Sequence, residues 1–522
     1  MSVDRESPAV AVPSRASVAK LNYSNHLGAK IAPLHRTCNT GNRDGIYNKL
    51  ERNIRKRDIS SLILFLRLLR PVLPFLTNMD IFAVDRNQTT QQYHSTKATR
   101  SHELEPQLWS LLNSYFPRAN SDLRFWWKTT GVPFAILLEK AGYSIDAQRQ
   151  KLFFYYYCVI PELGVGSNAQ GLPRCWKSFM TDHFSPIELS WEWGCGGESA
   201  TVRFSIEPIG PYAGTSADPL NQHATTHVVH RFQRLLSNCD LQLFDYFSSE
   251  LLSYNQHIGE ASNCSDYSKH RSRTFIAVDL GEDGDMLKAY FLPTFKAVEL
   301  GMSTWGIISQ AIQNLSACSP SIVFPGLSIL RNFLRTSPQG SGLEAEILAI
   351  DCMSPARSRL KIYMRSQSTC FDSVREIMTL SGVLDHLYLN HGLNELQKLW
   401  KLVLSQRQDF SAAEDLQPKA HRTAGILYYF DMQQGQTLPG VKVYIPVRHY
   451  GQNDHAIAEG LGVYLKNRGQ GSLACKYMKA LRSISPSASL RSRCGIQTYL
   501  GCSIVGEELK LTSYVAPEVY KM

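Results

Sequence analysis

None of the twelve cysteines forms a Cys-x-x-Cys pair. That absence removes the usual zinc-ribbon and dithiol-redox signatures, and it leaves reduced thiols in a cytoplasmic protein as the simplest expectation. No Asp-Asp-x-x-Asp motif occurs, so the magnesium-held diphosphate of terpenoid enzymes has no scaffold here. Gly164-x-Gly166 lacks the further glycine of a dinucleotide fingerprint. No cysteine has the surroundings of a catalytic nucleophile, and the first residues lack the basic-then-apolar run of a secretory leader. The longest apolar run, Ile59 to Leu76, is interrupted by Arg67, Arg70, Pro71 and Pro74. It falls short of the ~20 predominantly apolar residues of a membrane helix, so a buried or surface-lying helix is expected and no membrane span.

What is present is a chain of 522 residues, 43% hydrophobic and 19% charged, which is enough apolar material for a large core. The formal net charge of +10 favours an anionic partner: nucleic acid, a membrane surface or a phosphorylated small molecule. Residues 1–57 are rich in Ser, Asn, Arg and Lys without a sustained period. Residues 1–100 are therefore expected to form a poorly ordered extension, with the folded body over 101–522.

The body is organised around Arg359-Leu360-Lys361-Ile362-Tyr363. Polar and apolar residues alternate, which is the period of a β-strand, so Arg359, Lys361 and Tyr363 share one face. Lys288-Ala289-Tyr290 and Lys442-Val443-Tyr444 repeat the spacing, Arg203 alternates in Val202 to Ile206, and Tyr499 and Tyr514 close two late strand-like runs. Five strand pairs are read: Pro186 to Trp193 with Thr201 to Ile209, Phe275 to Leu280 with Met286 to Leu292, Leu343 to Asp351 with Ser358 to Arg365, Gly425 to Asp431 with Val441 to Val447, and Ile496 to Val505 with Leu509 to Val515. Helical spacing fills the intervals, at Val132 to Ala141, Gln148 to Val159, His227 to Leu252, Thr304 to Leu315, Phe371 to Leu389, Leu393 to Leu404, Asp454 to Lys466 and Leu473 to Leu481. An α+β fold follows: ten antiparallel strands closed into a barrel, which removes exposed edges, ringed by helices and wide enough to hold ligands.

In this order and spacing, these segments resemble the fungal dimethylallyltryptophan synthase-type aromatic prenyltransferases. The landmarks are Gly142-Tyr143, Pro161-Glu162-Leu163-Gly164, Pro186-Ile187-Glu188-Leu189-Ser190-Trp191, Val202-Arg203-Phe204, the three cation-x-Tyr strands, Tyr499 and Tyr514. The resemblance covers about Trp126 to Tyr520. It implies metal-independent transfer of a dimethylallyl group from dimethylallyl diphosphate to an aromatic small molecule, without a cofactor, in fungal alkaloid metabolism. It implies Arg203, Lys288, Arg359, Lys361 and Lys442 as diphosphate ligands. Tyr290, Tyr363, Tyr444, Tyr499 and Tyr514 would shield the allylic cation and also bind diphosphate, and Glu188 would bind the acceptor. Position 442 is often glutamine in the family, and Lys442 adds one charge there. Leu292 lies where tryptophan-using members carry tyrosine. That points away from free tryptophan and towards a cyclic dipeptide, an indole alkaloid, an indole diterpene or a polyketide phenol such as a xanthone. No base is assigned. A monomer or homodimer that binds no nucleic acid is expected.

Other readings compete. Five strand cations also suit a solvated face, or a non-catalytic basic barrel that binds a polyanion, and the discriminator is whether the cations lie inside. Tyrosine is a common strand residue, and Glu188 between Ile187 and Leu189 also suits an outward position. His223, His227 and His230 share a helix face, where a solvated face is the default over zinc. Asp279, Glu282, Asp283 and Asp285 read as a hairpin turn before a magnesium site.

Overall fold

In a computed structural model of the protein, residues 106–117, 120–193, 199–253, 271–281, 284–384 and 387–520 are described. The 1–100 segment with its Ile59 to Leu76 run, the Gly194 to Gly197 turn, and Glu282 and Asp283 lie outside them.

Ten strands form one closed antiparallel barrel: β1 (Ile187–Trp193), β2 (Thr201–Ile206), β3 (Thr274–Leu280), β4 (Asp285–Phe291), β5 (Leu343–Asp351), β6 (Arg359–Ser366), β7 (Ile426–Gln433), β8 (Gly440–Ile445), β9 (Gln497–Val505) and β10 (Glu508–Val515). Each strand pairs with its sequence neighbours, and β1 with β10 closes the ring through Leu189 opposite Val515. The alternation seen in the sequence sorts side chains by face. Leu360, Ile362 and Met364 of β6 point outward into the main core and are fully buried under helices, whereas Tyr363 belongs to a separate inner cluster with Tyr290, Tyr444 and Tyr514. Burying each outward aliphatic side chain stabilises the wall by ~1.5–3 kcal/mol, which fixes register, because a one-residue slip would turn the cations into the helix layer.

The helices labelled here are α1 (Val132–Ala141), α2 (Ile145–Phe154), α3 (Gln222–Gln233), α4 (Gln242–Leu252), α5 (Thr304–Cys318), α6 (Gly326–Thr336), α7 (Phe371–Thr379), α8 (Leu387–Val403), α9 (Asp454–Asn467) and α10 (Gly471–Ile484). α3, α4 and α5 pack on β3, β4 and β5; α9 packs between α8 and α10; and α10 rests on α1. Two single helices expected from periodicity are each split. His227 to Leu252 breaks between α3 and α4, where Asn238 adopts φ 60°. Phe371 to Leu389 ends at Thr379, where Leu380, Ser381 and Gly382 have φ of 50°, 55° and 88°. Three successive left-handed residues cannot continue a right-handed helix. Gln148 to Val159 is α2 followed by a wide π turn at Tyr155–Val159, and Pro161 sits inside a 3-10 turn (Ile160–Leu163). No helix among the described residues is long and apolar enough to cross a membrane.

Candidate active site

The cations singled out in the sequence all project into the barrel at one end. Arg203 (β2) and Lys288 (β4) both donate to Asp279 (β3), with Arg203 Nη2 3.1 Å from Oδ2. Asp351, at the end of β5, accepts from Arg359 Nε at 2.8 Å and from Lys361 Nζ at 2.5 Å. Arg359 Nη1 also reaches Asp431 of β7 at 3.4 Å. Lys442 (β8) donates to Thr512 at 2.9 Å and lies 3.9 Å from Glu192, which Lys510 approaches to 3.2 Å. With Lys510 included, six cations face four carboxylates, Glu192, Asp279, Asp351 and Asp431, and two positive charges remain in excess. Side-chain exposure grades this belt: Lys361 and Lys442 are 5% exposed, Arg359 35%. Arg359 therefore stands at the rim, and the lysines lie deeper.

Burial and crowding set the charge states. Burial alone would raise Asp279 and Asp351, but the cations around them outweigh it and hold both carboxyls well below the usual range. Burial likewise works to raise Glu192, and Lys442, Arg203 and Lys510 bring it down to about 2. Burial lowers the Lys361 ammonium to about 7, against the pull of Asp351 and with Lys288 and Arg359 adding to the shift. It lowers Lys442 to about 8. Several cations share too few carboxylates, so Lys361 is the charge most easily lost while the site is empty of anion. Gly501 makes room for Lys442: a Cβ there would come within 2.8 Å of Lys442 Cε.

Below the belt, the interior is tyrosine. The ring centres of Tyr290 and Tyr363 are 6.1 Å apart, Tyr363 and Tyr444 5.8 Å, and Tyr444 and Tyr514 5.6 Å, with Tyr499 6.2 Å from Tyr444. The hydroxyls of Tyr363 and Tyr444 are 3.4 Å apart, and Arg203 Nη1 approaches the Tyr514 hydroxyl at 3.4 Å, which joins belt and ring. A sixth tyrosine, Tyr429 of β7, stands between Tyr363 (5.4 Å) and Tyr444 (5.9 Å) and was not singled out from sequence. Its Tyr-x-Asp spacing with Asp431 mirrors the Lys-x-Tyr strands and was the available signal. Phe275 stacks on Tyr290 at 4.1 Å, and Leu292 is buried in the same cluster.

The opposite end holds Glu188. Its Oε1 accepts from Thr498 at 2.6 Å, and burial pushes the carboxyl up to about 7, with the Thr498 hydrogen bond opposing the shift. Glu188, Thr498, Tyr499, Phe179, Asp182 and Arg448 are among the residues lining a small pocket. Phe179 and Asp182 come from a connecting segment and Arg448 from a single helical turn (Val447–Tyr450), where sequence periodicity gives no signal. Asp182, His421 and His449 bring potential ligand atoms within 4.8 Å of one another. Asp182 is already paired with Arg448 (3.1 Å), and both imidazoles contact the Thr423 hydroxyl. His223, His227 and His230 lie on the exposed side of α3. Asp279 lies inside the barrel, whereas Asp285 pairs with Lys151 at 2.6 Å.

The interior is thus a largely buried tube with a cationic end, an aromatic waist and a carboxylate at the far side. A tube of this kind can hold an anionic leaving group, a carbocation and a hydrogen-bonding aromatic ring in sequence. The tryptophan dimethylallyltransferase family profile matches residues 122–480. A 4-O-dimethylallyl-L-tyrosine synthase from Claviceps purpurea is 36% identical over 400 residues, covering 76% of this chain and 88% of that protein. Xanthone prenyltransferase B from Emericella nidulans is 31% identical over 434 residues, 79% of this chain and 92% of that one. The crystal structure of AnaPT from Neosartorya fischeri superposes with a TM-score of 0.68 at 28% identity, covering 78% of this chain and 97% of that chain.

Proposed function

This chain belongs to the tryptophan dimethylallyltransferase family, and from that premise we propose how its interior carries out aromatic prenyl transfer. The enzyme moves a dimethylallyl group from its diphosphate to an electron-rich aromatic acceptor. The allylic C–O bond breaks with its electron pair leaving on diphosphate. Arg203, Lys288, Arg359, Lys361 and Lys442 take up that negative charge. Each charge-assisted hydrogen bond contributes ~1.5–3 kcal/mol. The excess of cations over carboxylates in the belt is the observation that carries this role.

The allylic cation then lies among Tyr290, Tyr363, Tyr444, Tyr499 and Tyr514, joined by Tyr429. A desolvated cation gains ~2 kcal/mol or more from an aromatic face. The closed wall keeps out the water that would convert the cation to an alcohol. Glu188 accepts the ring N–H of an indole or the O–H of a phenol. This orients the acceptor and enriches its π system. The ring attacks the allylic carbon, and loss of a proton completes the substitution. Indole is the acceptor class favoured by the family. A phenol is the second reading, supported by the tyrosine and xanthone relatives. Residues 101–522 act as one catalytic barrel, with 1–100 as an extension outside it. Unpaired thiols at the nine described cysteines support a reducing, cytoplasmic setting.

The test is incubation of the purified protein with dimethylallyl diphosphate, EDTA and a panel of indoles and phenols, read by mass spectrometry. One added C5 unit on an acceptor is expected. Diphosphate that neither binds nor is consumed would refute the reading.

A further inference from the structure

The pairing of β9 with β10 is interrupted once. Val515 pairs with Gln497 and Ser513 with Leu500, so Tyr514 alone stands opposite two residues, Thr498 and Tyr499. This is a β-bulge, and its extra residue breaks the in-and-out alternation of the strand. Leu500 and Cys502 face the helix layer, and unbroken alternation would turn Thr498 outward with them. Instead, Thr498 and Tyr499 both line the pocket that holds Glu188. The bulge is pinned from outside the barrel. Asp454, at the start of α9, accepts from the backbone N–H of Ile496 at 3.0 Å and of Gln497 at 2.9 Å, and Tyr477 of α10 donates to Gln497 Oε1 at 2.7 Å. Thr498 is 5% exposed, and its hydroxyl donates to Glu188 Oε1 at 2.6 Å. Among the described residues, Thr498 is the side chain that donates to this carboxyl.

We propose that Thr498 is the positioning residue of Glu188: its hydroxyl fixes Oε1 and leaves Oε2 to take the N–H or O–H of the acceptor ring. The proposal rests on the prenyl-transfer reading. A hydroxyl has one proton to give, so it holds one carboxylate oxygen and leaves the other with its full accepting capacity. A hydrogen bond donated to the ionised form also favours that form. Thr498 thus opposes the burial that pushes Glu188 towards neutrality, together with Arg448 and Arg203 and against Asp182. Tyr499 and His449 share the pocket, and Tyr514 faces Glu188 from β10.

The test is the pH profile of acceptor kcat/KM, over about pH 5.5 to 10, for wild type, Thr498→Val and Thr498→Ser, with whichever indole or phenol the wild type alkylates. Valine keeps the shape of threonine and removes the donor; serine keeps the donor. Thr498→Val should move the acidic limb upward by about 1–2 pH units, which lowers acceptor kcat/KM at pH 7 by roughly 10- to 100-fold. KM for dimethylallyl diphosphate should stay at the wild-type value, and Thr498→Ser should restore most of the limb's position. Added to Glu188→Gln, Thr498→Val should cost far less than it does alone. A valine variant whose limb stays in place would overturn the proposal, because lost packing alone lowers rates without moving a limb. A serine variant that behaves like valine, or an equal loss in the Glu188→Gln background, would overturn it as well. A wild type that alkylates no acceptor would overturn prenyl transfer itself.

Discussion

Asp351→Asn separates the two jobs of the inner carboxylates. Asp351 is 2% exposed and accepts from Arg359 and Lys361 at 2.8 and 2.5 Å. Each unit-charge contact near 4 Å amounts to about 4 kcal/mol at an effective dielectric of ~20, before desolvation is subtracted. Removing one partner of a buried pair costs ~3–5 kcal/mol, because charge is left unmatched. The melting temperature should therefore fall by roughly 5–10 °C. The sign of the pH dependence follows from Lys361, whose ammonium is lowered to about 7. Between that value and the ordinary lysine value of about 10.4, the unfolded chain binds a proton that the native chain does not. Stability from this group thus rises with pH in that window, by up to ~1.4 kcal/mol per unit. The deficit of the variant should be largest near pH 6, where wild-type Lys361 is charged and paired, and smaller near pH 8.5. Diphosphate supplies the missing anion, so ~1 mM inorganic pyrophosphate should raise the melting temperature of the variant more than that of the wild type. Differential scanning fluorimetry at the two pH values, with and without pyrophosphate, reads all of this. Equal pyrophosphate shifts in the two proteins would refute the idea that Asp351 holds the place of a ligand anion.

Two further predictions test the waist and the far end. Glu188 is raised to about 7 by burial, and it accepts a hydrogen bond more strongly when ionised. Acceptor kcat/KM should therefore rise about tenfold per pH unit below 7 and level off above it. Glu188→Gln should remove that limb, and a limb that survives in the variant would reject the role. Tyr429→Leu removes one π face and should lower turnover by on the order of tenfold while diverting cation to dimethylallyl alcohol. Tyr429→Phe should keep the coupling of diphosphate release to product, and a leucine variant coupled as tightly as the phenylalanine would remove Tyr429 from the cation's wall.

Much of this interior was legible in the sequence because a strand has a period of two and the outer face is apolar. Leu360 and Ile362 fix which way Lys361 points without any knowledge of the partner strand. Tyr429 escaped because Tyr428 and Phe430 flank it, and an aromatic run hides alternation. The inner carboxylates escaped for another reason: Asp351 meets Lys361 across a strand pair, and pairing between strands is not written in either strand alone. Asn238 and Leu380 split two expected helices through left-handed backbone that hydropathy does not report. Phe179 and Asp182 sit in a connection, where side-chain direction follows the fold and not a repeat.

The single seam of the barrel bears on how the molecule is made. Every strand pairing except one joins consecutive strands, and the remaining one, β1 with β10, joins Leu189 to Val515. On the ribosome, nine strands would emerge before the ring has a last stave. Until then the backbone edges of β1 and β9 stay open to any other chain, and the cations have no enclosed space to face. A stop codon shortly before β10 would remove only a few per cent of the polypeptide and yet leave an open sheet instead of a vessel. The same arrangement makes the ring indifferent to where it is cut: a permuted chain opened at another hairpin and joined across β1 and β10 would keep all ten pairings.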